Sequence, residues 1–303
     1  MITGATGTIG AAVCQALVAR GDEVVALVRA PARAREMLGS GVEVSEWAEP
    51  SAGPPPEAAL SGADAVIHLL GEPVAQRWSD EAKDRIRDSR VLGTRMLVQA
   101  LRGLPPERRP DTLVSGSAIG YYGPSDDSEL TEASPPGNDF LASVVTDWEA
   151  EAHAAEDVLR VTVIRTGVVL SSSGGALAQM LPFFRAGVGG PVAGGRQYVP
   201  WVHLDDVVGA VLFFLDRHDL SGPVNVTAPE PVTNAELSRA LGRALHRPAL
   251  LPVPGLALRA LYGEMAQIVI TGQRARPARL LELGFAFRHP ELEPALRDVL
   301  ARG

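Results

Sequence analysis

Three glycines near the start of the chain have the spacing of a phosphate-binding turn. Gly4, Gly7 and Gly10 recur at every third position, between a short β-forming segment and an apolar helical segment. In such turns the first glycine allows a sharp bend, the second lets the backbone approach a pyrophosphate, and the third allows close helix packing. The amides and dipole of a helix N-terminus favour a bound anion. This segment therefore predicts a dinucleotide-binding turn.

A second group of residues could carry acid–base chemistry. Ser115 and Ser117 lie at the end of a predicted strand, and Tyr121 and Tyr122 follow closely. Hydroxyl groups at the carboxyl end of a parallel strand lie at the edge of the sheet where ligands bind. The same pattern is typical of a tight turn with packed aromatic residues, so both interpretations stay open.

A third group lies in the stretch 195–206, GRQYVPWVHLDD. We predict that its polar and aromatic side chains bind a substrate, through Arg196, Gln197, Tyr198 and Trp201. His203 is a candidate acid or base, because histidine titrates near neutral pH. Alternatively, Trp201 and His203 pack two lobes of the protein together. No metal-ligand set is predicted.

Alternating strands and helices must position these groups. Predicted strands cover 23–28, 42–47, 64–71, 111–115, 161–170 and 224–226, and the main predicted helices cover 11–20, 79–101, 139–156 and 205–216. Continuous apolar strands between helices are typical of a buried parallel sheet. We therefore predict an α/β fold, a Rossmann-type doubly wound parallel sheet over 1–170 and about 204–227. Short helices separated by prolines predict a smaller, mostly helical C-terminal substrate lobe over 171–203 and 228–303.

The ends of the predicted strands indicate which cofactor is bound. An acidic residue after the second strand binds a ribose 2′-hydroxyl, whereas arginine accommodates a 2′-phosphate. This position holds Arg29, which predicts NADP(H) rather than NAD; a solvated basic loop is the alternative. Leu69, Leu70 and Gly71 should line the cofactor crevice, and His68 just before them is interpreted as a satisfied core histidine.

Composition excludes several classes of protein. The net charge of −8 argues against a nucleic-acid binder or a protein that binds anionic membranes. No apolar run approaches the roughly 18–20 residues of a membrane span. We predict a cytoplasmic monomer or homodimer that acts on a small molecule. Only Met1 and Ile2 precede Thr3, whereas strands usually have about 5–6 residues, so we expect the natural first strand to start upstream of Met1.

The chain resembles the extended short-chain dehydrogenases/reductases, specifically their epimerase-like branch with a C-terminal domain of unknown function. The similarity rests on these motifs: TGATGTIG at 3–10, HLLGEP at 68–73, SRVLGT at 89–94, SAIGYYG at 117–123, DFLASVVTDWE at 139–149, RTGVVLSSSGGAL at 165–177, GGRQYVPWVHLDDVV at 194–208, NVTAPEPVTNAEL at 225–237 and GQRARPARLLELGF at 272–285. The resemblance implies a parallel sheet that binds NADP(H), with a smaller lobe over the nicotinamide.

The resemblance also implies where the cofactor is contacted. The glycine turn would hold the pyrophosphate, Val28 and Arg29 the adenosine phosphate, and Val169 the nicotinamide side. The full predicted cofactor set is Gly4, Thr6, Gly7, Thr8, Ile9, Gly10, Val28, Arg29, Leu69, Leu70, Gly71, Glu72, Arg85, Arg90, Ser115 and Val169.

The chain departs from this group at its catalytic residues. Extended short-chain dehydrogenases normally use a Tyr-x-x-x-Lys pair, in which the lysine lowers the tyrosine pKa. The only lysine is Lys83, with Ser79 four residues before it, and the corresponding helix is apolar at the expected positions. The standard mechanism is therefore excluded.

Three functions stay open after this exclusion. The first is an oxidoreductase or epimerase in which Tyr121 or Tyr122, supported by Ser117, or else His203 is the acid–base group. The second is a non-catalytic NADP(H) sensor or regulatory protein. The third is a nucleotide-sugar epimerase.

Overall fold

The computed structural model describes residues 1–302, which form alternating strands and helices. The strands are β1 (Ile2–Thr3), β2 (Val24–Val28), β3 (Val42–Glu46), β4 (Ala65–His68), β5 (Thr112–Ala118), β6 (Glu129–Leu130), β7 (Arg160–Thr166), β8 (Val168–Leu170), β9 (Tyr198–Val199), β10 (Trp201–His203), β11 (Gly222–Val226), β12 (Val232–Thr233) and β13 (Arg274–Ala275). The α-helices are α1 (Thr8–Arg20), α2 (Pro31–Leu38), α3 (Glu57–Leu60), α4 (Asp80–Gly103), α5 (Phe140–His153), α6 (Gly175–Arg185), α7 (Leu204–Asp216), α8 (Asn234–Leu245), α9 (Gly255–Tyr262), α10 (Gln267–Ile270), α11 (Ala278–Glu282) and α12 (Leu292–Ala301). Short 3-10 helices cover Pro106–Arg108, Ile119–Tyr122 and Gly263–Ala266.

The main sheet has seven parallel strands in the order β11-β7-β5-β4-β1-β2-β3. Its strand order reverses between β1 and β4, because β1 leads to β2 on one side while β4 leads to β5 on the other. Ligands of doubly wound sheets bind beyond the carboxyl ends of the strands at such a reversal. The predicted Rossmann-type fold is confirmed.

Helices cover both faces of this sheet. On one face α1 and α7 pack through residues such as Val13, Leu17, Val211 and Phe214. On the other face α4 and the end of α5 pack through residues such as Leu97. A separate apolar cluster joins α6, α8 and α12. No helix within residues 1–302 combines the length and apolarity that crossing a membrane requires.

The segment predicted as one strand over 161–170 forms two strands that belong to different sheets. β7 pairs with β5 and β11, whereas β8 pairs with β10. Gly167 separates them, and a Cβ at this position would lie 2.2 Å from the backbone oxygen of Pro200. At Gly167 the chain leaves the main sheet and pairs with β10, because the Pro200 backbone lies directly against it. An apolar sequence pattern does not reveal this contact.

The first strand is short but is held from both sides. The Met1 amino group donates to the Ala65 oxygen at 2.8 Å. Thr3 Oγ1 lies 2.8 Å from His68 Nδ1, and Thr94 Oγ1 lies 2.9 Å from His68 Nε2. His68 is fully buried, and burial lowers its pKa to about 3. The interpretation of His68 as a satisfied core histidine is confirmed.

The neutral state of His68 gives the free energy of unfolding a dependence on pH. Below pH 6.5 the unfolded chain takes up a proton that the folded chain does not accept until about pH 3. Stability therefore falls as the pH drops through this interval, by at most about 1.4 kcal/mol per pH unit from this group. The free energy of unfolding can be measured with urea at several values between about pH 7.5 and 5. Because asparagine does not titrate, we expect His68→Asn to reduce the change of this free energy with pH by the contribution of one proton.

The matched control for this measurement is His218→Asn, which alters an exposed histidine. It should keep the slope of the unaltered chain. If His68→Asn also keeps that slope, the buried imidazole is not the group that links folding to protonation.

Candidate functional site

The turn between β1 and α1 has the conformation that its glycines predict. Gly4 has a φ of +67°, and a Cβ there would lie 2.4 Å from the Leu69 oxygen. A Cβ on Gly10 would lie 2.2 Å from the Gly4 oxygen, so the start of α1 packs on the turn itself. Gly7 is the N-cap of α1, and only the Gly4 oxygen, at 3.3 Å, lies near its Cβ position. Gly7 therefore leaves the helix N-terminus open to an anionic ligand.

A cleft of about 240 Å³ opens at this turn, along the carboxyl ends of the central strands. Its lining residues are Gly4, Gly7, Thr8, Ile9, Gly10, Leu69, Gly116, Ser117, Trp148 and Thr166. The structure thus brings the predicted glycine turn, Leu69 and Ser117 into one cleft.

Three lining residues were not predicted from the sequence. Gly116 and Thr166 lie at the carboxyl ends of β5 and β7, so the rule that selected Leu69 could have found them. A Cβ on Gly116 would lie 3.0 Å from Trp148 Cζ2, which shows that the glycine makes room for the indole ring. Trp148 Nε1 is itself buried and has no hydrogen-bond partner among the residues described, so it is the rest of the indole ring that lines the cleft.

The predicted adenosine side of the site lies at the end of β2. Val28 is buried at the end of the strand, and Arg29 follows it on the surface. Within residues 1–302 the Arg29 side chain makes no ion pair and no hydrogen bond to protein. Its guanidinium is therefore available to an anion.

Arg90 lies beside the cleft and holds the segment after β4. Its Nη1 donates to the backbone oxygens of Glu72 and Ile86, at 3.0 and 3.1 Å. The guanidinium carbon lies 5.3 Å from the centre of the Trp148 ring. Burial lowers the pKa of Arg90 to about 10. A Cβ on Gly71 would lie 2.9 Å from Arg90 Nη2, so these predicted residues form one packed unit.

Other predicted cofactor residues lie further from the lining of the cleft. Arg85 is exposed, with Nη2 3.5 Å from Gln76 Oε1. Leu70 packs toward α4, and Ser115 is buried with its hydroxyl directed at the Gly116 oxygen. Thr6 is exposed on the turn and Val169 is half-buried on β8.

Thr8 brings the glycine turn into contact with a distant loop. A Cβ on Gly174, the N-cap of α6, would lie 2.2 Å from Thr8 Oγ1. The N-terminus of α6 therefore lies directly beside the N-terminus of α1.

A buried ionic network lies behind Ser117. The Ser117 hydroxyl donates to Glu149 Oε1 at 2.5 Å. Arg165 donates two hydrogen bonds to the same carboxylate, from Nε to Oε1 at 2.8 Å and from Nη2 to Oε2 at 2.7 Å. The two charged side chains are only 3% and 7% exposed. Because its proton is directed at Glu149, Ser117 Oγ presents lone pairs to the cleft.

The two candidate tyrosines contact this network rather than the lining of the cleft. Tyr122 OH donates to Asn225 Oδ1 at 2.7 Å and accepts from Arg165 Nη1 at 3.1 Å. Burial raises the pKa of the Tyr122 phenol, which opposes formation of a phenolate. The Tyr121 ring stacks on Arg165, whose guanidinium carbon lies 3.4 Å from the ring centre.

Apolar side chains occupy α5 where the usual tyrosine and lysine would be. Leu141 and Val145 are one helical turn apart and both face Gly120, with side-chain carbons 3.7 to 4.0 Å from its Cβ position. Lys83 is engaged elsewhere, in an ion pair with Glu264 and 5.5 Å from the centre of the Phe140 ring. No lysine therefore lies beside the candidate tyrosines.

The structure does not bring the predicted substrate group and His203 to the cleft lining. Trp201 is 1% exposed, and its Nε1 donates to the Glu230 oxygen at 3.1 Å. His203 is also 1% exposed, and its Nδ1 accepts from the Asp205 amide at 3.0 Å at the start of α7. Both side chains are buried among other parts of the chain, as in the packing interpretation.

The remaining predicted substrate residues lie on or before β9. Gln197 Nε2 donates to the oxygens of Val192 and Val269, at 3.1 and 3.0 Å. Tyr198 lies under Arg274, and Arg196 is exposed. Gln197 thus connects the loop before β9 to α10 and has little freedom to reorient.

Comparison with known proteins identifies relatives over the whole chain. Residues 1–227 match the NAD dependent epimerase/dehydratase family, and residues 253–299 match a domain of unknown function, DUF1731. The chain is 40% identical to the chloroplastic epimerase family protein SDR39U1 homolog of Arabidopsis thaliana, over 99% of this chain and 86% of that protein.

Two solved structures are also similar to this chain. One is the crystal structure of human epimerase family protein SDR39U1 (isoform 2) with NADPH, with a TM-score of 0.89, 35% identity, and coverage of 100% of this chain and 99% of that one. The other is a nucleoside-diphosphate sugar epimerase from Corynebacterium glutamicum, with a TM-score of 0.77, 33% identity, and coverage of 99% of this chain and 57% of that one. On these matches, the chain belongs to the NAD-dependent epimerase/dehydratase family.

Proposed function

We propose that the chain binds NADP(H) in the cleft and exchanges a hydride between this cofactor and an unidentified small molecule. The observation that carries the proposal is that one cleft joins the open N-terminus of α1 to the oriented hydroxyl of Ser117. The human relative crystallised with NADPH supports the choice of cofactor.

The residues of the cleft fit a phosphorylated dinucleotide. The backbone around Gly7 would hold the pyrophosphate, because the first amides of a helix have no partner within the helix. Arg29 would hold the 2′-phosphate through charge-assisted hydrogen bonds.

Bound NADP⁺ would accept the hydride in alcohol oxidation and bound NADPH would supply it in carbonyl reduction, while Ser117 handles the proton of the reacting oxygen. In the direction of alcohol oxidation, the substrate hydroxyl donates its proton to Ser117 Oγ while the Ser117 proton passes to Glu149 Oε1. The reverse transfers accompany carbonyl reduction. Arg165 makes two hydrogen bonds to the same Glu149 carboxylate, so a proton delivered to Oε1 would disrupt this ion pair. We therefore expect slow turnover.

A non-catalytic NADP(H) sensor is the second candidate. Leu141 and Val145 favour it, since they place apolar groups where the usual acid–base pair would be. A nucleotide-sugar epimerase is a third candidate, supported by the similarity to the nucleoside-diphosphate sugar epimerase of Corynebacterium glutamicum. We also propose that the protein is a cytoplasmic monomer or homodimer, from its composition.

The role of Arg29 can be tested by replacing it with alanine. We expect Arg29→Ala to weaken NADPH binding by about tenfold or more, because it removes charge-assisted bonds to the 2′-phosphate. NADH binding should not change. Both affinities can be measured by titrating the intrinsic fluorescence of the protein.

Arg108→Ala is the matched control, because Arg108 is an exposed arginine near the amino end of β5, at the opposite edge of the sheet. It should leave both affinities unaltered. Equal affinities for NADPH and NADH in the unaltered chain would refute the role given to Arg29.

Hydride exchange can be tested with NADPH deuterated at C4 on either face. We expect incubation with a metabolite extract to remove deuterium from one face only. Ser117→Ala should slow this loss by about 100-fold or more, the usual contribution of a positioned proton-transfer group, while leaving NADPH affinity intact.

Ser61→Ala, at the amino end of β4, is the control for loss of a serine hydroxyl away from the cleft. It should behave like the unaltered chain. Retention of both deuterium labels across a broad extract, together with tight NADPH binding, would favour the sensor over the enzyme.

A further inference from the structure

A cluster of ionisable side chains outside the cleft joins α7 to the C-terminal helix. His203, Asp205, His289 and Asp298 each place one nitrogen or oxygen atom within 4.8 Å of the others. The imidazole rings of His203 and His289 stack, with their centres 3.7 Å apart and their planes at 28°. None of these residues lines the cleft, so the cluster has no part in the chemistry proposed above.

Three polar atoms of this cluster are buried without a hydrogen-bond partner: His203 Nε2, His289 Nε2 and Asp298 Oδ2. His203 Nε2 lies 3.1 Å from Asp298 Oδ2, and His289 Nε2 lies 3.5 Å from Asp205 Oδ2, without the alignment of a hydrogen bond. His203 is 1% exposed and its other nitrogen is already bonded to the Asp205 amide. Since buried polar atoms normally have partners, we take these atoms as a set that can converge on a common ligand once Arg302, which lies 2.7 Å from Asp298 Oδ2, has moved away.

The chemistry of the donors indicates the class of ligand. Two imidazole nitrogens with carboxylate oxygens are ligands of Zn²⁺ and similar transition-metal ions, whereas Mg²⁺ and Ca²⁺ take oxygen ligands. Hydrogen bonds to Asp206 also hold the backbone around His289 in place. Asp206 accepts from the amides of Arg288 and His289, at 2.6 and 3.0 Å.

Arg302 pairs with both carboxylates of the cluster. It makes two bonds to Asp205, at 2.9 and 2.8 Å, and lies 2.7 Å from Asp298 Oδ2. Arg288 lies 3.5 Å from Asp205. The Arg302 side chain is 52% exposed, so it can move into solvent without breaking the packed core.

We propose that this cluster binds a divalent transition-metal ion of the zinc class through His203 Nε2, His289 Nε2 and the carboxylates of Asp205 and Asp298, with Arg302 displaced. The four ligand atoms lie within 4.8 Å of one another and would have to come to about 2.0–2.2 Å from the ion, so the stacked imidazole rings would have to turn apart. Because its ligands come from the end of β10, the start of α7, the segment between α11 and α12, and α12 itself, the ion would tie α12 to the junction of β10 and α7.

Because His203 Nδ1 accepts from the Asp205 amide, Nε2 carries the proton of the neutral ring. On binding, this proton would move from Nε2 to Nδ1 and the bond from the Asp205 amide would break, which frees the Nε2 lone pair for the ion.

Calorimetric titration of the full chain with ZnCl₂ tests this site. We expect saturable binding of one ion per chain and a rise in melting temperature, since an ion that binds only the folded state stabilises it. His289→Gln and Asp298→Asn should each weaken binding at least tenfold. Arg302→Gln should strengthen it, because no guanidinium then competes for the carboxylates. MgCl₂ should give no saturable heat.

His153→Gln is the matched control, because it removes a histidine that also contacts a carboxylate, Glu156, on the surface at the end of α5. It should bind Zn²⁺ like the unaltered chain. The proposal is overturned if neither the unaltered chain nor Arg302→Gln binds Zn²⁺ saturably. It is also overturned if binding survives both His289→Gln and Asp298→Asn. NADPH affinity should be the same in all these variants, so the outcome is independent of the proposed function.

Discussion

The close contact of backbone atoms at Gly4, Gly10 and Leu69 is the constraint on which the site depends. A Cβ at either glycine would lie within 2.4 Å of a backbone oxygen, so no other residue type fits without movement of the chain. This contact fixes the start of α1 against the ends of β1 and β4, where the strand order reverses. Because the helix is fixed by backbone packing, its N-terminal amides need no side-chain cap and stay open to a ligand.

The second determinant of the site is the buried charge pair behind Ser117. Taking Glu149 and Arg165 out of water costs free energy, which the two direct bonds between them and the Ser117 hydroxyl partly offset. Such a pair is weak evidence for added stability. Its clear structural effect is to orient the Ser117 hydroxyl, while the same arginine holds Tyr121 and Tyr122 behind the cleft.

The parts of the site that were predictable from sequence depend on local spacing. The glycine turn and the buried state of His68 follow from a few consecutive residues and from the apolar run around them. The rule for strand ends selected Leu69, which lines the cleft, together with Leu70 and Gly71, which do not. Ser117, predicted as a catalytic hydroxyl at the next strand end, also lines the cleft. The fold class followed from the alternation of strands and helices, which needs no knowledge of distant contacts.

Features that depend on distant contacts were not predictable. The break at Gly167 is imposed by Pro200, and the burial of Trp201 and His203 depends on how the later helices pack. The donors around His203 come together only because α12 folds back onto α7. A single sequence contains the residue types of that cluster but gives no sign that they meet.

The contact between Thr8 and Gly174 has a consequence for how this protein can evolve. Any side chain at position 174 would collide with the threonine hydroxyl in the wall of the cleft. A change in the loop before α6 would therefore first disturb the glycine turn between β1 and α1. A residue with a side chain at position 174 would require the Thr8 side chain to turn away, so the loop before α6 influences the turn that it touches.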